Sequence, residues 1–187
     1  MQLSAIIIAG GKSKRMGFDK TNIVYQGKTF LQNAVDLLRT FSDDIIISSN
    51  QALSTAIPVI PDVITDMGPI GGLYACLPKI KYDKSLVIPV DMPLLNAEII
   101  NHLIQNADFQ KDINIFQVAD RLQSLVGIYD KNTVQLMAKQ IEQKDYKLRH
   151  LLQKSAYHLI DGSKFATQFI NVNSPEELAK IKSINEL

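Results

Sequence analysis

Residues 9–20 read AGGKSKRMGFDK. Two adjacent glycines, Gly10 and Gly11, follow the apolar run Ala5-Ile6-Ile7-Ile8-Ala9. Lacking a Cβ, they let backbone N–H groups come close to an anion. Lys12, Lys14, Arg15 and Lys20 stand against Asp19 alone, so this stretch carries +3 in a chain whose net charge is +1. A cationic, glycine-led turn after a strand has the chemistry of a polyphosphate cradle. It is neither of the two common phosphate loops. A P-loop ending in Gly11-Lys12-Ser13 needs a glycine where Ile6 stands, and a dinucleotide loop needs Gly-x-Gly where this chain has Gly-Gly. Taken by themselves, the same residues also suit a solvated basic turn.

A carboxylate answers this cluster. Asp91 follows the buried-looking strand SLVIPV and precedes Met92-Pro93. Mg²⁺ typically takes one or two carboxylates and completes its shell with substrate phosphates and water, so one Asp opposite a phosphate loop is enough. A turn aspartate is the competing reading of Asp91 in isolation. What is missing narrows the reaction. There is no Ser-His-Asp set, no pair of catalytic carboxylates and no cysteine in a basic pocket, and His102, His150 and His158 are scattered. An enzyme without a base can still work if its nucleophile is already ionised. A substrate phosphate attacking the α-phosphorus of a nucleoside triphosphate meets that condition. The protein then has only to align the groups, neutralise charge and release pyrophosphate. Arg15, Lys20 and Asp91 are the candidate catalytic residues for such a transfer.

These residues need a scaffold that turns strand ends toward one another. Short β-branched runs alternate with helix-period segments: strands are expected at Leu3–Ala9, Asp44–Ser48, Pro58–Ile60 and Ser85–Val90. Thr29 and Asn96 are placed to cap helices, and Ser174-Pro175-Glu176-Glu177 is a helix start with Ser at the cap and Pro at the first position. Gly68–Gly72 is expected as a loop leading into a short helix ended by Pro78. Ile113–Ala119 and Leu122–Ile128 are expected as a hairpin turning at Asp120-Arg121, and Ala156–Ile160 and Phe169–Val172 as the last strands. The β-α-β-α order predicts an α/β fold. It is a single three-layer domain over residues 1–187, with a mostly parallel sheet and an antiparallel element. Ligands in such sheets sit beyond the carboxyl ends of the strands. That singles out the loops after Ala9, Ile60, Val90 and Val172.

Three motifs carry a resemblance to a known family. IIAGGKSKRMGFDK is similar to the signature loop of the glycosyltransferase-A-like nucleotidyltransferases, a Rossmann-like type of fold also used by nucleotide-diphospho-sugar transferases. Gly68-Pro69-Ile70-Gly71-Gly72-Leu73 and Phe169-Ile170-Asn171-Val172-Asn173-Ser174-Pro175-Glu176-Glu177-Leu178 resemble motifs of the molybdenum cofactor guanylyltransferases. The resemblance implies transfer of GMP from GTP to the phosphate of molybdopterin, giving molybdopterin guanine dinucleotide and pyrophosphate. It places Ile8, Ala9, Gly10 and Gly11 against the nucleotide, Lys20 on its phosphates and Asp91 on Mg²⁺. Asp62 becomes the acid that reads guanine, and Asn171 and Asn173 face the pterin side. A carboxylate can accept from both N1–H and the exocyclic amine of guanine, so the Asp62 assignment is chemically sensible. Ser48 departs from an asparagine that some members carry near the ribose or base, and Gln123-Ser124-Leu125 lacks a proline common there. Lys147 and Arg149 are candidates for the substrate phosphate.

Composition bounds the alternatives. Hydrophobic residues at 46% and charged residues at 21% describe a packed globule, and a +1 balance gives no pull toward nucleic acid or an anionic membrane. No apolar run approaches the ~20 residues of a membrane span. Cys76 is the only cysteine, so there is no internal disulfide, which fits a cytoplasmic protein. Molybdoenzymes or other cofactor-synthesis proteins are the partners this reading implies. Two other functions compete: a cytidylyl- or sugar-phosphate nucleotidylyltransferase, and a non-catalytic nucleotide or cofactor carrier.

Overall fold

A computed structural model describes residues 1–10 and 20–184. The chain runs β1 (Ser4–Ile8), β2 (Val24–Tyr25), β3 (Lys28–Thr29), α1 (Phe30–Arg39), β4 (Ile45–Ser48), β5 (Val59–Ile60) and α2 (Pro69–Cys76). It continues through β6 (Lys84–Pro89), α3 (Ala97–Asn106), β7 (Ile113–Val118) and β8 (Arg121–Asp130). The last elements are α4 (Thr133–Glu142), α5 (Leu148–Lys154), β9 (Tyr157–Asp161) and α6 (Pro175–Ile184). Seven strands form one sheet in the order β5-β4-β1-β6-β8-β7-β9. β8 alone opposes its neighbours; the other pairings are parallel. The expected mostly parallel α/β sheet with an antiparallel element is therefore present. Among the described residues no helix is long and apolar enough to cross a membrane.

The central strands are apolar throughout because both faces are covered. Successive side chains on a strand point to opposite faces. Ala5 and Ile7 of β1 join a cluster containing Phe30, Val35 and Leu38 of α1, Ile99 and Leu103 of α3, and Ile181 of α6. Ile6 and Ile8 join Ile70 and Leu73 of α2, Met137 of α4 and Leu151 of α5. Helix starts follow from their caps. The Thr29 hydroxyl accepts from Gln32 N at 3.1 Å and the Gln32 side chain accepts from Thr29 N at 2.9 Å, a reciprocal capping box. The Asn96 side chain accepts from Ile99 N at 3.1 Å. Between β2 and β3, Gln26 and Gly27 have φ of 52° and 79°, the two left-handed residues that a tight hairpin turn requires.

Three expectations are corrected. The segment at Gly68–Gly72 is not a loop: α2 starts at Pro69, and Gly71 and Gly72 lie within it. Pro69 suits the first helical position, where its missing N–H would have had no helical partner. The glycines serve packing, since a Cβ on Gly72 would collide with the Ser48 side chain. The β7–β8 hairpin turns at Ala119-Asp120, with Ala119 at φ 49°, and Arg121 already pairs with Val118. Within that hairpin the partner of β7 jumps from Gly127 to Gln123, so Ser124-Leu125-Val126 leave the ladder. Phe169–Val172 forms no strand. It crosses the sheet's carboxyl edge instead, and Val172 N donates to Asp91 O at 2.8 Å.

Cys76 is buried on the inner side of α2. Burial pushes its thiol up to about 12, the Asp62 charge adds to this, and a hydrogen bond with Ser48 opposes it. The unfolded thiol ionises near ~8.5, so as pH rises between that value and about 12 the unfolded chain loses a proton that the native state keeps. Stability should therefore fall with rising pH by up to about 1.4 kcal/mol per unit in that window. Melting curves at pH 8 to 10.5 should show a shallower decline for Cys76→Ala than for wild type. Removing the α1 cap with Thr29→Ala should cost about 1 kcal/mol, read as a lower urea midpoint at unchanged slope.

Candidate active site

Backbone hydrogen bonds carry the parallel strands past their formal ends on one edge. Val90 N donates to Ile8 O (3.0 Å), Ala9 N to Ser48 O (2.9 Å) and Ser49 N to Ile60 O (3.0 Å). The loops after β1, β4, β5 and β6 thus emerge side by side. Chain order reverses between β1 and β6, which is the switch point where open α/β sheets leave a crevice.

Lys20 stands at that point, in a single 3₁₀ turn at Lys20–Asn22. Its Nζ lies 2.8 Å from Asp91 Oδ2 and 2.5 Å from Asn173 Oδ1. The Lys20 and Asp91 side chains are 18% and 20% exposed, so the pair is largely shielded. Asn173 is itself held: its N–H donates to the Glu177 carboxylate at 2.5 Å, while Glu177 N donates to Ser174 Oγ at 3.2 Å. The start of α6 therefore anchors the asparagine that binds the lysine. Residues 20, 91 and 173 meet as the first loop, the strand-end acid and the returning C-terminal segment.

A second group lies beside it, after β4 and β5. Asp62 N donates to Asn50 Oδ1 at 2.8 Å, and Asn50 Nδ2 donates to Asp62 Oδ2 at 2.9 Å. The first turns of α2 approach this carboxylate; a Cβ on Gly71 or Gly72 would stand 3.6 Å from Asp62 atoms. Asn50 was not singled out from sequence. Its signal is register: Ser48 pairs with Ile60, so residues two steps beyond each strand face one another.

The other sequence candidates separate. Ile8 is buried in the core, Ala9 is half-buried and Gly10 is exposed at the edge. Among the described residues, a Cβ on Gly10 would meet nothing nearer than Ser48 O at 3.9 Å. Gly11 and Arg15, with Lys12, Lys14 and Asp19, lie outside the described residues. Asn171 is exposed and makes no hydrogen bond to Lys20 or Asp91. This segment is not a pleated strand, so strand alternation does not set the direction of Asn171 relative to Asn173. Ser48 is only 1% exposed, beneath Gly72, so its hydroxyl is part of the packing. Lys147 and Arg149 are exposed at the start of α5, and His150 pairs with Asp145 at 2.8 Å, not with the Lys20 group. Among the described residues no three His, Cys, Asp or Glu side chains cluster as a metal cage. Asp91 fits the other mode of divalent-ion binding. It is a hard oxygen donor whose Oδ1 accepts no hydrogen bond among the described residues, and substrate oxygens would complete the shell.

Residues 5–159 match the family model described as a MobA-like NTP transferase domain. A probable molybdenum cofactor guanylyltransferase from a Geobacillus species is 31% identical, over 96% of this chain and 98% of its own. Another, from Clostridium perfringens, is 31% identical over 93% of each chain. Among solved structures, molybdopterin-guanine dinucleotide biosynthesis protein A from Archaeoglobus fulgidus has a TM-score of 0.83 at 20% identity, covering 98% of this chain and 99% of its own. The 2-C-methyl-D-erythritol 4-phosphate cytidylyltransferase of Thermus thermophilus reaches 0.76 at 12% identity over 100% of both, a likeness of fold alone. The first loop, the strand-end acid and the C-terminal motif thus sit on a scaffold matched along nearly its whole length, and the chain belongs to the MobA-like NTP transferase family.

Proposed function

We propose that the protein transfers GMP from GTP to the terminal phosphate of molybdopterin, releasing pyrophosphate and forming molybdopterin guanine dinucleotide. The observation that carries this reading is the meeting of Lys20, Asp91 and Asn173 at the switch point. A molybdopterin phosphate oxygen attacks the α-phosphorus, and the bond from that phosphorus to the bridging oxygen breaks. Its electron pair leaves with pyrophosphate. The nucleophile is already anionic, so no general base is required.

Lys20 holds a phosphate oxygen and offsets charge that moves onto the leaving group. Asn173 fixes the direction of its ammonium. Asp91 would hold Mg²⁺, which when bound neutralises phosphate charge. Ile8, Ala9 and Gly10 border the nucleotide, and Gly11 and Arg15 complete the phosphate side. Asp62 accepts from N1–H and the 2-amino group of guanine. Asn171 faces the pterin in this reading. A cytoplasmic setting, with molybdoenzymes as recipients of the product, completes it.

Three outcomes are expected. With Mg²⁺ present, GTP should raise the melting temperature and ATP, CTP and UTP should not; at a hundredfold excess over Kd the gain is about 2.7 kcal/mol. A CTP preference would replace guanine with cytosine in the proposal, and binding of GTP without turnover would point to a carrier. Asp91→Asn and Lys20→Met should each lower kcat for pyrophosphate release at least about 100-fold while leaving far-UV circular dichroism unchanged. Full turnover by Asp91→Asn would refute the metal assignment.

A further inference from the structure

The loops after β4 and β5 do more than lie close. Parallel pairing ends at Ser48 opposite Ile60, and one more bond, Ser49 N to Ile60 O at 3.0 Å, extends it. Side chains then take over the register. Ser49 Oγ accepts from Gln51 N at 3.1 Å, closing a turn that presents Asn50. The Asn50 amide spans the gap to Asp62 with both of its ends. The two bonds fix its orientation: Oδ1 takes the Asp62 N–H, so Nδ2 faces the carboxylate. Among the described residues Asn50 alone donates a hydrogen bond to the Asp62 carboxylate, and it takes only Oδ2. Each carboxylate oxygen has about two lone-pair sites, so Oδ1 and the outer site of Oδ2 are left to accept from a ligand.

We infer that Asn50 is the positioning residue for base selection: it aims the Asp62 carboxylate so that both oxygens meet paired N–H donors on one edge of the base. This rests on the proposed role of Asp62. A single-bonded carboxyl group rotates about its Cβ–Cγ bond, and a bidentate acceptor must be held in one plane. Asn50 supplies that restraint from the side away from the ligand. Asn50→Asp separates this role from loop structure. The new carboxylate still accepts from Asp62 N but repels the Asp62 carboxylate in place of donating to it.

The test uses the full-length chain, GTP and ITP, which lacks the 2-amino group. Wild type should favour GTP over ITP in kcat/KM by about tenfold or more. Asn50→Asp should bring that ratio to within about twofold of unity, with the loss falling on KM for GTP and not on kcat. Asn50→Ala should also lower the ratio, and it replaces Asn50→Asp as the test should that variant fail to fold by thermal melt. An unchanged ratio in both variants, with Asp62→Ala collapsing it, would overturn the positioning role and leave Asp62 as the base reader. An unchanged ratio in Asp62→Ala would overturn both.

Discussion

Lys20 and Asp91 meet at the carboxyl edge of the sheet through a mutual need for charge. Each side chain is mostly withdrawn from water, and an ion so withdrawn without a partner is costly. At 2.8 Å they satisfy one another, and Asn173 adds a neutral acceptor on the ammonium. The contact also ties together parts of the chain that share no local structure. One residue follows the first strand, one follows β6, and one belongs to the segment that returns across the edge after β9. In the proposed reaction the same two groups serve substrate. A triphosphate presents Lys20 with anions, and a divalent ion presents Asp91 with a cation, so both charges stay compensated as the complex forms.

The returning segment explains why a C-terminal motif matters to a site built mainly from N-terminal strands. Ser174 caps α6 and the Glu177 side chain turns back to Asn173 N, which locks the residue just before the cap. Val172 N donates to Asp91 O from the other side. The acid is therefore held through its backbone by residue 172, and its lysine is held through a side chain by residue 173. A helix N-terminus that would otherwise be a routine surface feature becomes the clamp on the Lys20–Asp91 pair.

Much of this was legible in the sequence, for identifiable reasons. Continuous apolar strands announce burial on both faces, and Thr29, Asn96 and Ser174 announce helix starts because their side chains answer unpaired N–H groups. Lys20 and Asp91 stood out by charge and by position at strand ends. The misread elements share a different cause: their conformations are set by distant partners. Gly71 and Gly72 look like turn residues, yet they lie in α2, and at Gly72 the need for glycine comes from Ser48 of β4, whose side chain a Cβ would strike. Phe169–Val172 has strand composition, but the sheet ends at β9 and its backbone finds Asp91 instead. Asn50 was missed because its meaning depends on which residue of β5 pairs with Ser48, and neither strand's length reveals that register.

The layout also separates chemistry from choice of base. The charges proposed to handle phosphate follow β1 and β6, whereas Asp62 and Asn50 follow β5 and β4 on the other flank of β1. A cytidylyltransferase shares the whole scaffold at 12% identity, so the scaffold by itself does not select guanine. Selection must come from groups that can differ without disturbing the Lys20–Asp91 contact. The two loops beyond β4 and β5 meet that requirement: they connect to the ladder through two backbone positions and to each other through one amide. On the proposed assignment, replacing either side chain changes base selection while the strands that carry Lys20 and Asp91 remain paired.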